Sequence, residues 1–418
     1  MSDRYDLIVV GGGPAGYQAA QLAGRAGMRV LLAERDAIGG TCLNHGCIPT
    51  KTLLRSAKLY HEMLHAEAYG LTAGQVAVHM DRLQARKRDI IDKLQIGVMS
   101  LLKRGKVELM TGAARVPARG TVIVNNTTYT AGNILIATGA APVRRYPGTL
   151  ATTDALSLRS VPASLGIIGG GPISFGLASI FEMMGSEVTI VEPGLVALPD
   201  ADDDLRAALL AALPGVTVRT ETETVEADVV VENIGRAPAL GAVEELRLDV
   251  SNGGVHVDEH MRTNLPGVYA AGDVTGRAMW AHVALREAEV AVNHMMGQPD
   301  RMRYHAVPTP IYTVPEAAYV GLTERAAHQA GYAVRVHRLP MNANGRFLIE
   351  APGQSGLCKV VTDAETGVVL GVHLVGGQAA ESIFGVAAML EDEFRAAEIR
   401  ELVFAHPTVS EIIKDSLQ

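Results

Sequence analysis

The chain has 418 residues, 48% of them hydrophobic and 20% charged, which is ordinary for a globular enzyme and too long for a single core. The formal net charge of −8 with no long basic run argues against nucleic acid as the partner. The opening segment MSDRYDLIVV has no charged start followed by a long apolar stretch, and nowhere is an apolar run long enough to cross a bilayer. A cytoplasmic location without membrane contact is therefore expected. Three cysteines are present, Cys42, Cys47 and Cys358. A reducing compartment disfavours structural disulfides, so the close pair reads as catalytic or metal-binding.

In chain order, residues 6–10 form an apolar run that reads as a buried parallel strand, followed by Gly11-Gly12-Gly13-Pro14-Ala15-Gly16. An Ala-rich helical stretch, Tyr17 to Gly27, leads to a second strand at 29–33 that ends at Glu34. Residues 78–105 are charged, periodic and helix-like, and 134–139 form another buried strand that ends in a tight turn. The first pattern then recurs. Residues 165–168 are a strand, Gly169-Gly170-Gly171-Pro172-Ile173-Ser174 follow, a helix runs to Met184, and strand 188–191 ends at Glu192. Further strands are expected at 228–236, ending in Gly235-Arg236, and at 267–273. From about 304 the character changes to short strands (317–320, 333–337, 356–361, 368–374) mixed with helices at 379–390 and 395–402.

Each glycine turn carries phosphate chemistry. The first glycine makes the turn, and the second lets a pyrophosphate approach a helix N-terminus, where unpaired N–H groups and the dipole favour negative charge. In the first copy Gly11, Gly13 and Gly16 fill these places, and Glu34 is placed to bind ribose hydroxyls. In the second copy Gly169 and Gly171 fit, Ser174 replaces the third glycine, and Glu192 favours NAD over NADP because a carboxylate repels a 2′-phosphate. The strongest element is Gly39-Gly40-Thr41-Cys42-Leu43-Asn44-His45-Gly46-Cys47-Ile48-Pro49-Thr50-Lys51. It reads as a glycine-bounded turn leading into a helix, with the cysteines close enough for a disulfide and with the helix N-terminus and Lys51 lowering thiol pKa. No second cysteine pair appears, so no zinc site is expected. Near the C-terminus, Glu411 stands five residues after His406, a spacing that lets a carboxylate orient an imidazole base. Cys358 lies in an expected strand and reads as an inert core thiol.

The segment GGTCLNHGCIPTK resembles the redox-disulfide signature of the pyridine nucleotide–disulfide oxidoreductases, of the lipoamide dehydrogenase, glutathione reductase and mercuric reductase type. Its flavour, with Tyr17 after the first glycine turn, is most similar to the dihydrolipoamide dehydrogenases. Ala137-Thr138-Gly139, Gly235-Arg236-Ala237-Pro238, Tyr269-Ala270-Ala271-Gly272-Asp273, Ala281-His282 and His406-Pro407-Thr408-Val409-Ser410-Glu411 continue the likeness along the whole chain. The resemblance implies an α/β fold of two Rossmann-like dinucleotide-binding domains, for FAD and NAD, plus a C-terminal α+β dimerisation domain. The expected segments are 1–147 for FAD, 148–238 for a shortened NAD domain, 239–303 returning to the FAD region, and 304–418 for dimerisation. It implies FAD contacts from Gly11, Gly13, Pro14, Ala15, Gly16, Glu34, Arg35, Gly40, Thr41, Lys51, Ala114, Thr138, Gly139, Gly272, Asp273, Ala281 and His282. It implies NAD contacts from Gly169, Gly171, Pro172, Ile173, Glu192 and Gly235. The catalytic set is Cys42, Cys47, Lys51, His406 and Glu411. The expected reaction is oxidation of a dihydrolipoyl group, on a protein or a small dithiol, with NAD⁺ as acceptor, by a homodimer whose subunits share active sites.

Three departures from the family pattern fall in the coenzyme half. Gly176 stands where a glutamate is usual, the chain passes from Val216–Arg219 almost directly to Ala227–Asn233 where relatives carry extra strands, and Asn233-Ile234-Gly235 replaces an Ala-Xaa-Gly turn. Two other readings are therefore kept: a reductase of the same family with another disulfide substrate, and a redox-sensing flavoprotein with weak coenzyme turnover.

Overall fold

In a computed structural model that describes residues 4–418, the chain forms two compact units. Residues 1–3, with which the expected FAD segment opens, lie outside the described residues. The first unit takes in the chain to Thr52 together with Arg82–Arg145 and Gly235–Arg303. The second takes in Leu53–Asp81, Tyr146–Ile234 and Tyr304–Gln418.

The first unit is built on a seven-stranded sheet. Strands Glu108–Thr111, Val30–Glu34, Arg4–Val10 and Thr127–Ile136 lie side by side in parallel. Antiparallel strands Thr121–Val124 and Ala114–Ala118 extend the sheet. The short strand Val268–Ala270 pairs with the end of Thr127–Ile136. Leu7, Ile8, Val9, Leu31, Leu32, Ile134 and Leu135 are fully buried, as strands covered on both faces require. Helix Pro14–Arg25 crosses between the first two strands and packs on them and on helix Ala281–Met295. It does so through Ala15, Ala19, Ala20 and Ala23, whose small side chains let the backbones approach. Proline at the first helical position, preset for the helix and with no N–H to waste, fixes where it starts.

The second unit holds two sheets. One is parallel throughout, in the order Val216–Thr220, Glu187–Glu192, Ser164–Ile168, Val229–Glu232, Leu150–Ala151. Its helix, Pro172–Met183, is buried along almost its whole length. No strand lies between Thr220 and Val229, in keeping with the direct passage read from the sequence. The other sheet is antiparallel: Thr309–Ile311, Ala317–Gly321, Val369–Val375, Leu357–Asp363, Val334–Pro340. Helices Ala379–Glu391 and Asp203–Ala211 pack against it.

Two local expectations change. The single strand read over 228–236 is two strands, Val229–Glu232 in the parallel sheet and Arg236–Pro238 in a ribbon with Ala140–Pro142. The break falls at Gly235, whose φ of +114° turns the chain in a way that favours glycine. The cysteine motif is not one turn running into one helix. Cys42 lies in a short helix, Gly40–Asn44, and Cys47 is the first residue of a second, Cys47–Leu64, with His45 and Gly46 between.

Candidate active site

The first unit brings together every residue expected to hold FAD. A Cβ on Gly16 would lie 1.7 Å from the Gly11 carbonyl oxygen, and one on Gly11 would lie 2.3 Å from that of Ala137. Only bare backbone fits there. The Glu34 carboxylate accepts from the Gly12 N–H at 2.6 Å and from the Asp36 N–H at 2.8 Å, which stations it beside the turn. No acidic side chain occupies the first turn of helix Pro14–Arg25, so its N-terminal field is left for an anionic ligand. Gly40 closes on the same turn, since its Cβ would lie 2.7 Å from the Gly13 Cα. Ala114 opens the strand Ala114–Ala118, Arg35 follows Glu34 directly, and Thr138 donates to the Ala239 carbonyl at 2.7 Å. Asp273 follows Gly272 (φ +83°), faces Arg236 at 3.8 Å, and is pushed above the usual carboxylate range by burial. Ala281 and His282 start the helix Ala281–Met295, with His282 stacked on Trp280. This set fits a dinucleotide that carries a pyrophosphate and polyhydroxyl chains.

Two residues that hold the site together were not read from the sequence as such. The buried Glu287 carboxylate accepts from the Gly272 N–H at 2.6 Å and so pins the turn before Asp273. Asn44 donates to the carbonyls of Ala37, Ile38 and Gly40 and accepts from Gln95 at 2.7 Å, which fixes the loop before Cys42. Asn44 was visible only as a letter of the motif, and Glu287 gave no signal at all, because a buried helical glutamate looks like any solvated one.

Cys42 and Cys47 stand as two free thiols, both partly buried, and the Cys42 thiol donates to Cys47. This hydrogen bond raises the Cys42 pKa and brings that of Cys47 down to about 7. Burial opposes the lowering at Cys47, while Lys51 and the helix-start N–H support it. Lys51 lies one turn along the same helix face, and burial beside the thiols lowers its own pKa. Tyr17, from the helix after the first glycine turn, has its pKa raised by burial and by the neighbouring thiols. Cys358 is fully buried, with burial lifting its thiol to about 12, as an inert core thiol requires.

The second unit carries a matching dinucleotide turn. The Glu192 carboxylate accepts from the Gly170 N–H at 2.6 Å and the Gly194 N–H at 2.7 Å, repeating the arrangement at Glu34. Gly169 has φ +106°, Gly171 opens onto empty space, and Pro172 with the half-exposed Ile173 starts the helix. These residues fit a second dinucleotide. Gly235, expected with them, belongs to the first unit. Elsewhere in the second unit His406 Nδ1 lies 3.0 Å from Glu411 Oε1, while Glu411 Oε2 accepts from the Thr408 N–H at 2.8 Å. Those two contacts hold the Glu411 carboxyl below its usual range, so it is ionised at neutral pH. The imidazole is 82% exposed in the single chain. No cluster of three or more His, Cys, Asp or Glu suited to a metal occurs among the described residues.

Two dinucleotide-binding turns and a dithiol at a helix N-terminus define a class, the flavin- and nicotinamide-dependent disulfide oxidoreductases. A family model described as pyridine nucleotide-disulphide oxidoreductase matches residues 5–225 and 214–288, and the dimerisation domain of the same family matches 307–417. The chain belongs to the pyridine nucleotide–disulfide oxidoreductase family. It is 38% identical to a dihydrolipoyl dehydrogenase of Thermus scotoductus, over 99% of this chain and 97% of that one. It is 34% identical to a dihydrolipoyl dehydrogenase of Bacillus subtilis, over 98% and 97%. Among solved structures, LpdA from Mycobacterium tuberculosis superposes with a TM-score of 0.89 at 25% identity, covering 98% of each chain. The HOCl-induced flavoprotein disulfide reductase RclA from Escherichia coli superposes with 0.88 at 27%, covering 99% of each. The cofactors of the chain are FAD and NAD, it carries a dimerisation domain, and no described helix is long and apolar enough to cross a membrane.

Proposed function

We propose that the protein is a dihydrolipoyl dehydrogenase, which oxidises a dihydrolipoyl group to the lipoyl disulfide and passes the electron pair to NAD⁺. The observation that carries this is the Cys42–Cys47 dithiol, one member of which is held near pKa 7 at a helix N-terminus beside Lys51. Gly11, Gly13, Pro14, Ala15, Gly16, Glu34, Arg35, Gly40, Thr41, Lys51, Ala114, Thr138, Gly139, Gly272, Asp273, Ala281 and His282 are assigned to FAD. Gly169, Gly171, Pro172, Ile173 and Glu192 are assigned to NAD. Held by these residues, FAD would supply a two-electron relay between the dithiol and NAD⁺.

The remaining chemistry belongs to the chain. With Nδ1–H donated to Glu411, His406 keeps Nε2 as a proton acceptor. It takes the proton of an incoming dihydrolipoyl thiol, and Glu411 stabilises the imidazolium that forms. The substrate thiolate attacks Cys42 Sγ of the oxidised pair, a mixed disulfide forms, and Cys47 leaves as thiolate. Cys47 is suited to leave, because the Lys51 charge and the helix-start N–H favour its thiolate. The second substrate thiolate then attacks the sulfur bound to Cys42, which closes the lipoyl ring, and Cys42 departs and takes a proton. Lys51 offsets the charge left on Cys47. The substrate comes as a dihydrolipoyl-bearing protein or small dithiol. In the homodimer the dyad of one copy serves the cysteines of the other. A cytoplasmic setting agrees with chemistry that needs reduced thiols.

An anaerobic titration of flavin-loaded protein with dihydrolipoamide, followed by NAD⁺, tests the proposal. Flavin bleaching that reverses as NADH appears is the expected result. Bleaching without NADH would leave a redox-sensing flavoprotein. No bleaching would remove the dihydrolipoyl group as substrate. It would favour a reductase of another disulfide, the reading that the likeness to RclA keeps open.

A further inference from the structure

The second glycine turn departs from the first at two residues, and a single hydrogen bond joins them. In both copies a neighbouring strand end lays a carbonyl oxygen on the first glycine. A Cβ on Gly11 would lie 2.3 Å from that of Ala137, and one on Gly169 would lie 2.2 Å from that of Asn233. Ala137 and Asn233 therefore hold the same place, and Gly16 and Ser174 are each third in their turn. In the first copy that place admits no side chain, since a Cβ on Gly16 would stand 1.7 Å from the Gly11 oxygen. In the second copy the Ser174 side chain is fully buried, and its Oγ accepts from Asn233 Nδ2 at 2.8 Å. The Asn233 backbone N–H donates to Ile168 at 2.8 Å, beside Gly169. A Gly–Ala pair closed by bare backbone has become a Ser–Asn pair closed through side chains.

We infer that the Ser174–Asn233 hydrogen bond positions the coenzyme site, tying the first turn of helix Pro172–Met183 to the strand end beneath Gly169 and so setting the pyrophosphate seat. The inference rests on the reading of this turn as the NAD site. Ser174 and Asn233 are positioning residues, for neither is assigned a contact with NAD. Ser174 and Asn233 are departures that fit one another. A lone serine would bury an unsatisfied hydroxyl, and a lone asparagine would strand an amide at the strand end.

The test compares Asn233→Ala, Ser174→Ala, the double variant and Ser174→Thr with the parent, all loaded with FAD. NADH binding is followed by calorimetry, with flavin content and melting temperature as checks on folding. Loss of the bond weakens NADH binding by about tenfold in each single variant. The double variant is no weaker than the worse single, and Ser174→Thr, which keeps the hydroxyl, stays near the parent. The KM for NAD⁺ rises in step, while kcat at saturating NAD⁺ changes less. Asn233→Ala puts into this turn the residue that the first turn already carries at Ala137, and the double variant strands neither polar group, so it keeps the test readable where a single variant does not fold. If NADH binds Asn233→Ala within twofold of the parent, or if the two losses simply add, the pair does not position the site. A parent whose NADH binding is indifferent to Glu192→Ala would instead remove the reading of this turn as the NAD site.

Discussion

The division of labour between Cys42 and Cys47 follows from one hydrogen bond. Because the Cys42 thiol donates and Cys47 accepts, Cys47 is the thiolate, and burial works against it. In the reduced protein the ultraviolet thiolate absorbance should therefore rise with a midpoint of about 7, protonated below and ionised above. Cys42→Ala removes the largest lowering cause and moves that midpoint up. Lys51→Met moves it up less, because Lys51 acts through charge and not as the donor. An unchanged midpoint in Cys42→Ala would mean that the thiol pair does not share the proton in this way. At the other reacting group, His406→Ala should lower dihydrolipoamide oxidation by about 10²–10⁴-fold, the usual worth of a positioned base. Oxidation of NADH by an artificial acceptor such as ferricyanide does not need that base and should persist. Glu411→Gln keeps the shape but not the charge beside His406 Nδ1, so its loss should be smaller and should appear in the pH profile of kcat. Equal losses in both activities would mean that the dyad supports the fold and not the proton transfer.

The elements fall into those the sequence could announce and those it could not. The glycine turns, their strands and the acidic strand ends were legible because backbone crowding leaves no alternative. Gly16 against the Gly11 carbonyl and Gly169 against that of Asn233 admit no side chain. The strand over 228–236 was legible as apolar but not as two strands, because hydrophobicity does not report the positive φ at Gly235. The two-helix form of the cysteine segment was hidden as well, since Asn44 breaks it through three carbonyl contacts that spacing cannot show. Least legible was a charge cluster that joins elements far apart in sequence. Lys359, 1% exposed on the strand Leu357–Asp363, donates to Asp202 and Asp204 at 2.7 Å each and to Glu324 at 2.8 Å. Asp202 also caps helix Asp203–Ala211, so one carboxylate starts the helix and docks it. Lys359→Met would leave the buried Asp202 carboxylate without that cation and should cost about 3–5 kcal/mol, read by denaturant unfolding. Burial pushes the Asp202 and Asp204 carboxyls up, but Lys359, joined by the Glu324 N–H at Asp202 and by Arg338 at Asp204, outweighs it and leaves both below their ordinary range. Their contribution is thus present at neutral pH and lost on acidification, so the melting temperature should drop below pH of about 4. In Lys359→Met that drop should flatten. If the variant kept the parent's stability and acid profile, the cluster would be a crowded surface and not a joint.

At the scale of the whole molecule, the second unit exposes apolar side chains that a lone chain has little reason to show. Phe384 is 74% exposed, Val403 97% and Ile349 67%, all within residues 307–417 matched by the family's dimerisation domain. Single exposed apolar residues are common, but several large ones in one domain mark a surface for association. We expect a homodimer to cover these residues, and a stable one buries on the order of 1,600 Å². Phe384→Glu with Val403→Glu should therefore shift the protein from dimer to monomer in sedimentation. The consequence for function separates two arrangements. If the His406–Glu411 dyad serves the cysteines of the other copy, the monomer should keep its flavin and its NADH–ferricyanide activity, since neither needs a second chain. It should lose dihydrolipoamide oxidation to the level of His406→Ala. Mixing a His406→Ala subunit with a Cys42→Ser subunit sharpens the test, because only a dimer with crossed sites regains one competent centre per pair. A monomer that still oxidised dihydrolipoamide would place dyad and dithiol in the same chain, and the charge-carrying groups of the two units would then have to be complete without a partner.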